Sequence, residues 1–478
     1  MVFSSLIFLY IFLPVTIILY FLFPQMKMKN AILVLASLFF YAWGEPVYVV
    51  LLVLTAFMNY AFGIILNRKL RVSTRKFLLA FCVVLNLAAL VYFKYAGFLV
   101  GIVNDVFGLS LTFPQLRMPI GISFFTFQAL SYTVDVYRGD VKTQRSFWKF
   151  LLYISMFPQL IAGPIVRYSE IEPQMEERHT TVEAAYYGVF RFCIGLGKKV
   201  LLADYAGKAA ALLLNADLAG ATVAGTWFGM LVYAMQIYFD FSGYSDMAIG
   251  MGRIFGFRFN ENFNLPYIAD SITDFWRRWH ISLSSFFRDY VYIPLGGNRV
   301  RPWRKIFNLL VVWSLTGLWH GASWNFLLWG LYFFVLLVVE KNLNPVLRRI
   351  PKVIRIPVTF ILVLLGWTLF YFTDLSRLTR VLSIMFGLGG ASIYTETVGI
   401  TMMNNLLLLT VCVIGCTPLP RLLGLIFNSF TGMEKTAHSA ALQRTGAILI
   451  FLFDIAVIFM ATVSLVGSNY SPFLYFRF

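Results

Sequence analysis

Residues 306–339 read IFNLLVVWSLTGLWHGASWNFLLWGLYFFVLLVV and contain no Asp, Glu, Lys or Arg. Lys305 precedes this run and Lys341 follows it, and basic residues collect in cytosolic loops. If both ends are cytosolic, the run predicts a hairpin of two short helices that enters the bilayer and returns. Fifteen residues from Ile306 to His320 advance about 22 Å, most of the way through a hydrocarbon core about 30 Å thick. We therefore expect His320 near the far turn, in a polar or hydrated cavity.

The composition of the whole chain favours the same environment. Of 478 residues, 59% are hydrophobic and 13% are charged, against about 45–50% and about 25% in soluble domains. This excludes a soluble enzyme, because a soluble surface needs more charge. Apolar runs between short basic loops predict an all-α, polytopic membrane protein with roughly ten to twelve spans, some of them short or re-entrant. We expect a single integral membrane domain over residues 1–478.

The net charge of +17 is explained by membrane topology. In a soluble protein such an excess would suggest nucleic-acid binding, but in a membrane protein the cytosolic loops collect Lys and Arg. We therefore expect a lipid bilayer and no nucleic acid as a partner. The basic loops that we place in the cytosol are Lys27/Lys29, Arg68 to Lys76, Lys198/Lys199, Arg277 to Lys305 and Lys341 to Arg355.

The four histidines differ in their surroundings, and no metal site is predicted from them or from the four cysteines. His179 and His438 lie in polar stretches, where solvated loop positions are expected. His320 lies among small residues and tryptophans in an apolar run, and an ionisable group there is a functional candidate by default. The alternative is a neutral imidazole that only bonds a neighbouring helix.

His280 belongs to a basic and aromatic segment. Seven basic residues and one acid, Asp289, occur from Arg277 to Lys305, with aromatic residues between them. Guanidinium groups bind phosphate oxygens in a bidentate manner, so this surface could hold the phosphates of an acyl donor. On charge alone, an ordinary positive-inside loop is the favoured interpretation.

A third cluster brings carboxylates and hydroxyls into apolar surroundings at residues 236–247. Asp240, Tyr244 and Asp246 could line a polar path. They could instead hold the core together by pairing with Arg253 and with Arg277/Arg278. We favour the structural role, because intramembrane acids are usually paired.

Five motifs resemble those of the membrane-bound O-acyltransferase (MBOAT) family. They are residues 238–246 (YFDFSGYSD), 275–280 (FWRRWH), 288–290 (RDY), 294–299 (PLGGNR) and 317–321 (GLWHG). Residues 157–167 (FPQLIAGPIVR) and 471–478 (SPFLYFRF) also fit. The chain looks most like the alginate O-acetyltransferase membrane subunit and related bacterial polysaccharide O-acetylation proteins. The motif core spans about 230–340.

The resemblance implies an MBOAT fold of about eleven transmembrane helices around a central funnel, in the inner (plasma) membrane of a bacterium. It implies that His320 is catalytic and that His280 is the second family histidine, with a chemical or a donor-positioning role. Residues that we expect to bind the donor or line the funnel are Trp276, Arg277, Arg278, Trp279, Arg288, Asp289, Asn298, Trp319, Ser323 and Asn325. Of these, Asn325, Ser323 and the Trp319 N–H are candidate donors to an oxyanion.

The implied activity is O-acetylation of an exported or cell-surface polysaccharide of the alginate type. The donor would be a cytosolic thioester such as acetyl-CoA, with no permanently bound cofactor. His320 would act as general base or hold the acyl group in transit. A serine-hydrolase-like extracytoplasmic acetyltransferase is the implied partner, because no soluble domain is predicted here.

Two alternatives remain open at this point. A related protein could transfer D-alanyl groups from a carrier-protein thioester to teichoic acid. A non-enzymatic transporter or flippase could use His320 and the aspartates as proton relays.

Overall fold

The computed structural model describes residues 1–114, 116–161, 163–214, 218–420, 422, 440–467 and 473–474, and the statements below concern these residues. They form helices and no strand. Of the motif at 471–478, only Phe473 and Leu474 are among them, and Ala162 and His438 lie outside them.

The first half of the chain contributes eleven α-helices to the described part of the structure. They are α1 (Leu13–Leu22), α2 (Met26–Gly44), α3 (Tyr48–Leu66), α4 (Val72–Leu90), α5 (Ala96–Phe107), α6 (Ile122–Arg138), α7 (Phe147–Ser155), α8 (Phe157–Leu160), α9 (Tyr168–Glu176), α10 (Val182–Gly197) and α11 (Asp204–Leu214).

The second half begins with the longest helix of the described chain. Its α-helices are α12 (Val223–Ile254), α13 (Ile272–Arg278), α14 (Ile281–Phe287), α15 (Pro302–His320), α16 (Trp324–Leu347), α17 (Lys352–Tyr371), α18 (Leu375–Met385), α19 (Glu396–Asn404), α20 (Leu406–Gly415) and α21 (Ala440–Val466). Wider π-helical turns occur at Phe8–Phe12, Val91–Tyr95, Lys198–Ala203 and Arg288–Tyr292.

Several of these helices are long and apolar enough to cross a bilayer. Five segments meet that description: Tyr48–Leu66, Val72–Phe107, Trp324–Leu347, Lys352–Tyr371 and Thr445–Val466. A sixth is obtained if α19 and α20, which meet at a bend of 51°, form one broken span. The all-α, multi-pass membrane class is therefore confirmed, whereas the expected count of about eleven spans is not.

Helix α12 forms the centre of the structure. Its side chains are buried along most of its length, and it packs most closely against α10 and α11. A Cβ at Gly195 of α10 would lie 2.5 Å from the carbonyl oxygen of Gly243 of α12. Small residues of this kind allow helix backbones in a membrane to approach closely.

The predicted hairpin is present as α15 and α16. The two helices pack antiparallel, and a Cβ at Gly330 would lie 2.3 Å from the carbonyl oxygen of Trp313. His320 is the last residue of α15, and Gly321 to Ser323 form the turn. The hairpin thus places His320 at the end opposite Lys305 and Lys341, as the sequence predicts.

One expected loop is not a loop. Lys198 and Lys199 lie in a π-helical turn that joins α10 directly to α11, and Lys199 is buried. The prediction that this pair forms a loop is therefore wrong. The reason is that acidic side chains of the core neutralise both lysines, as described below.

Candidate active site

His320 has a defined ring orientation at the end of α15. Its Nδ1 lies 2.8 Å from the main-chain oxygen of Thr316, one helical turn earlier, and the residue is 3% exposed. A carbonyl oxygen only accepts hydrogen bonds, so Nδ1 carries the proton in the neutral ring. The lone pair is then on Nε2, which is the arrangement that a general base needs.

Aromatic rings surround the imidazole of His320. The ring centroids of Trp329, Trp319 and Phe370 lie 4.7, 4.9 and 5.4 Å from it, at interplanar angles of 66°, 89° and 80°. These edge-on contacts hold the ring between α15, α16 and α17. The predicted tryptophans are therefore present beside His320, from α15 and α16, and Phe370 of α17 completes the aromatic surroundings.

His280 lies next to this aromatic group in a strained backbone conformation. Its φ of 45° is in the left-handed region, which costs a non-glycine residue about 1–3 kcal/mol. Its ring centroid is 5.8 Å from Trp319 and 4.7 Å from Phe241. Trp319 therefore contacts the rings of both histidines.

Asn262 holds His280 in this conformation. Its Oδ1 lies 3.2 Å from His280 Nδ1 and also accepts hydrogen bonds from the backbone N–H and the hydroxyl of Ser282. The main-chain oxygen of Asn262 accepts the N–H of Ile281 at 3.0 Å. Three consecutive residues are thus attached to one asparagine, which accounts for the persistence of the strained φ.

A cavity of about 1550 Å³ opens beside α13, α15 and α16. Of the predicted donor-binding residues, those that line it are Trp276, Arg277, Arg278, Arg288 and Asn298. Its lining also includes Trp313 and Thr316, and Thr316 is the residue whose carbonyl binds His320. Trp276 packs 5.5 Å from Trp329, which in turn contacts His320. The cavity lining therefore approaches the site histidine to within about one helical turn.

The cavity lining is cationic. It contains eight basic side chains and three acidic ones. The acids are engaged: Asp274 pairs with Arg278, Asp270 with Arg355, and Glu340 accepts the backbone N–H groups at the start of α13. Within the described part of the chain, the cavity cations that have no ion-pair partner are Arg277, Lys305, Lys341, Arg348 and Lys352. This surface therefore has free positive charge for an anionic ligand.

Two of the predicted donor-binding residues have roles in packing or pairing instead. Trp279 is buried, and its ring is 4.8 Å from Trp367. Asp289 binds Arg167 and Arg288, each at 2.6 Å. Burial disfavours the charged form of Asp289, but the hydrogen bonds from these arginines outweigh it and keep the pKa of its carboxyl below the usual value.

Ser323 and Asn325 hold the hairpin turn against α17. The Ser323 hydroxyl donates to Asn325 Oδ1, and Asn325 Nδ2 lies 3.2 and 3.3 Å from the main-chain oxygens of Leu369 and Phe370. Their polar groups are thus engaged within the protein. Their use as oxyanion donors stays a prediction, and it requires these bonds to be exchanged.

The third cluster is an ion-pair network. Asp240 lies 2.7 Å from Lys199 and accepts the backbone N–H of Leu474 at 2.8 Å. Asp246 lies 2.7 Å from Lys198 and 2.6 Å from Arg191. The Tyr244 ring, also buried, packs between Phe3 and Phe473 at 4.3 and 4.7 Å. This pairing supports the structural interpretation of Asp240, Tyr244 and Asp246.

The predicted partners of these acids, Arg253 and Arg277/Arg278, are not the ones that the structure shows. Arg278 pairs with Asp274, Arg277 lines the cavity, and Arg253 lies over the ring of Tyr187. The lysines reach the acids because the π-helical turn at Lys198–Ala203 packs directly on α12.

The sequence analysis missed Asn262 and Lys94. Lys94 Nζ lies 2.5 Å from the main-chain oxygen of Trp319. It is the only Asp, Glu, Lys or Arg between Lys76 and Asp105, and such an isolated intramembrane charge is a signal in itself. No comparable sequence signal marks Asn262. His179 is exposed, as predicted.

Comparisons with known proteins identify the family of this chain. The MBOAT, membrane-bound O-acyltransferase family, model matches residues 137–375, which include both site histidines and most of the cavity lining. The chain is 42% identical over 398 residues to the "Probable alginate O-acetylase AlgI" of Azotobacter vinelandii, covering 81% of this chain and 79% of that protein.

Two further relatives extend the range of named activities. The "Peptidoglycan O-acetyltransferase" of Helicobacter pylori is 36% identical over 429 residues, with 82% of this chain and 81% of that protein covered. The "Teichoic acid D-alanyltransferase" of Bacillus subtilis is more distant, at 30% over 285 residues, with 54% and 72% covered. The chain belongs to the membrane-bound O-acyltransferase family.

Proposed function

We propose that this O-acyltransferase moves an acetyl group from a cytosolic thioester, acetyl-CoA, to O-acetylate an exported or cell-surface polysaccharide of the alginate type. The observation that carries the proposal is the hydrogen bond from His320 Nδ1 to the main-chain oxygen of Thr316, a residue that lines the cationic cavity, because this bond leaves Nε2 as the basic atom. The relatives named for acetylation of alginate and of peptidoglycan support acetyl as the acyl group and a polysaccharide as the acceptor.

The charge and the size of the cavity support a nucleotide-linked thioester as donor. Coenzyme A carries phosphates, and Arg277, Lys305 and Lys341 supply cations that have no carboxylate partner within the described residues. A volume of about 1550 Å³ exceeds the roughly 300–1,000 Å³ of ordinary small-molecule pockets. Trp276 and Trp313, at the inner end of the lining, would contact the pantetheine chain.

The proposed reaction needs one base that also serves as an acid. His320 Nε2 accepts the proton of the acceptor hydroxyl while the hydroxyl oxygen bonds to the thioester carbonyl carbon. The C–S bond then breaks, and the thiolate takes the proton from the imidazolium, so that an ester and a free thiol are formed. Aromatic walls around His320 exclude water, which would otherwise hydrolyse the thioester.

We assign His280 the role of positioning the acyl donor next to Trp319. It touches Trp319 and is held by Asn262, and its strained φ is of the kind found at functional sites. Residues 1–478 would form one membrane domain in the inner membrane of a bacterium. An extracytoplasmic, serine-hydrolase-like acetyltransferase would receive the acetyl group and modify the glycan.

The proposal is tested by measuring O-acetyl esters on surface polysaccharide in cells that lack this protein. Cells would be complemented with the wild type, with His320→Ala, or with His179→Ala as the matched control, at equal membrane abundance. We expect the wild type and His179→Ala to restore the esters and His320→Ala to lower them at least about 100-fold, as for loss of a general base.

Three results would contradict the proposal. Restoration by His320→Ala would remove the assigned base. Esters that persist in cells lacking the protein would remove the assigned product. Loss of D-alanyl esters in place of acetyl esters would favour the teichoic-acid activity of the more distant relative.

A further inference from the structure

A helical segment from the first half of the chain contacts the end of α15. Helices α4 and α5 are joined by the π-helical turn Val91–Tyr95 into one 36-residue apolar segment, Val72–Phe107. From this turn, Lys94 Nζ lies 2.5 Å from the main-chain oxygen of Trp319, and the Tyr95 hydroxyl lies 2.7 Å from that of Leu318. Two consecutive side chains therefore donate to two consecutive carbonyl groups.

These carbonyls belong to the turn that ends in His320. The last four carbonyl groups of an α-helix have no partner within the helix, and Leu318 and Trp319 are among those of α15. Gly321 is fully extended, with a φ of −172°, so the chain leaves the helix without a further turn. The bonds from Lys94 and Tyr95 thus supply donors to carbonyl groups that have no partner within α15. A cation at a helix C-terminus is also favourable.

The π-helical turn accounts for the orientation of the Lys94 and Tyr95 side chains. A π-helical turn holds one residue more than an α-helical turn, and such bulges are frequent at functional sites. Tyr92 belongs to the same turn but is about half exposed, and it packs against Phe93 and Phe113. Tyr92 is therefore a natural control for Tyr95.

A lysine is a costly way to bind a carbonyl within an apolar segment. A serine or an asparagine would also donate a hydrogen bond, but without a charge in the bilayer. Lys94 Nζ also lies 6.0 Å from the ring centroid of Trp319, the residue that contacts both histidines. The charge is thus placed beside the candidate reaction centre.

We propose that Lys94 and Tyr95 are positioning residues that fix the last turn of α15 and thereby the direction of His320 Nε2. The proposal rests on the proposed function in that His320 is the base. Neither side chain needs to touch the substrate. A small rotation of the turn would move the Nδ1 contact with Thr316 O and displace Nε2, and misplacement by about 1 Å can reduce a rate about 100-fold.

The test uses the full-length protein in liposomes that enclose the polysaccharide and the proposed extracytoplasmic acetyltransferase. Acetyl-CoA is supplied outside, and the transfer of labelled acetyl groups to the enclosed acceptors is measured. We expect Lys94→Met to lower kcat about 10- to 100-fold and Tyr95→Phe about fivefold, with the KM for acetyl-CoA within about twofold of the wild type. Lys94→Arg should recover part of the loss because it keeps a charged donor. Tyr92→Phe should leave kcat unchanged.

A second measurement does not depend on turnover. Nitrogen-15 NMR of histidine-labelled protein in liposomes reports which ring nitrogen carries the proton, and His320→Ala assigns the signal. We expect a single Nδ1–H form of His320 in the wild type and in Tyr92→Phe, and a mixture of forms in Lys94→Met and Tyr95→Phe.

The two measurements separate the two proposals. If the wild type transfers no acetyl group while the NMR signals behave as expected, the proposed function fails and the positioning role stands. If Lys94→Met and Tyr95→Phe keep both the wild-type kcat and a single His320 form, the positioning role is overturned. A raised KM with an unchanged kcat would also overturn it, and Tyr95→Phe decides the matter if Lys94→Met does not fold.

Discussion

Two regions of this protein bury ionisable side chains, and they do so in opposite ways. Between α10 and α12, Asp240 and Asp246 meet lysines and an arginine at 2.6–2.7 Å, so positive and negative charges are combined. Around the hairpin, His320 and His280 lie among aromatic rings, and their Nδ1 atoms bind a main-chain oxygen and an amide oxygen, respectively. In the first region the charges are neutralised by ion pairing. In the second region a neutral imidazole is oriented near a cationic cavity.

The difference teaches how to separate structural from chemical groups in a membrane core. A charge that is matched by a counter-charge stabilises the packing of the helices that carry it. A neutral imidazole that donates from one nitrogen to a main-chain oxygen carries its lone pair on the other nitrogen, which is the basic one. The largest effects on folding are therefore expected in the first region, and effects on turnover in the second.

The largest expected effect in the first region comes from Asp240→Ala. Among the residues that the structure describes, it leaves the buried Lys199 with Asp204 as its remaining acidic partner, and it removes the acceptor of the Leu474 N–H. Loss of one partner of a buried pair costs about 3–5 kcal/mol. We expect this loss in the free energy of unfolding, measured in detergent with a chemical denaturant.

An exposed pair provides the comparison for that prediction. Glu176→Ala removes a surface partner of Lys149, and surface pairs contribute about 0–1 kcal/mol. If Asp240→Ala were no more destabilising than Glu176→Ala, the buried network would not be structural. An unchanged stability together with a lost acetyl transfer would instead revive the polar-path interpretation.

A smaller effect, on turnover, is expected for Asn262→Ala. It removes the acceptor shared by His280 Nδ1 and Ser282 and so releases the strained backbone at His280. We expect kcat to fall about tenfold, in line with the loss of hydrogen bonds to a buried group. The measurement is acetyl transfer in liposomes.

Asn260→Ala is the control for Asn262, because Asn260 is exposed and its side chain donates to Glu170 at the surface. Equal rates for the two variants would show that the orientation of His280 does not matter. A loss of stability in Asn262→Ala alone, with kcat unchanged, would give His280 a packing role like that of Trp279.

The smallest effect is expected for Arg277→Ala at the cavity. Arg277 is exposed in the lining and has no carboxylate partner among the described residues. We expect the KM for acetyl-CoA to rise about fivefold with an unchanged kcat, because one charged contact to phosphate is lost. The rise should shrink in high salt, since exposed charges are screened.

Arg301→Ala tests whether this effect is local. Arg301 is exposed in the same basic stretch but does not line the cavity. If both variants raised the KM equally, the basic segment would act through its overall charge, and the cavity would not be the donor site.

Much of the fold was predictable because it follows from local sequence properties. The uncharged run at 306–339 and its basic ends were enough to predict the hairpin and the position of His320. The tryptophans and small residues around His320 were enough to predict an aromatic wall. The motifs at 238–321 were enough to identify the family, which the family model confirms.

Other features were not predictable, because they depend on contacts between distant segments. Lys198 and Lys199 have the sequence of a basic loop, and only the π-helical turn at Lys198–Ala203 brings them to Asp246 and Asp240. The sequence marks Asn325 as a candidate oxyanion donor, but only the approach of α17 shows that its amide already binds two main-chain oxygens.

The sequence by itself determined the membrane environment, the helical class, the family and the two histidines. These depend on composition, on hydropathy and on short motifs, all of which are local. Only the tertiary structure decided which nitrogen of His320 is protonated, that Asn262 holds His280, and that Lys94 reaches the end of α15 from 225 residues away. The physical reason is that hydrogen bonds and ion pairs depend on distances of a few ångströms, and only the packing of helices sets such distances between remote parts of a chain.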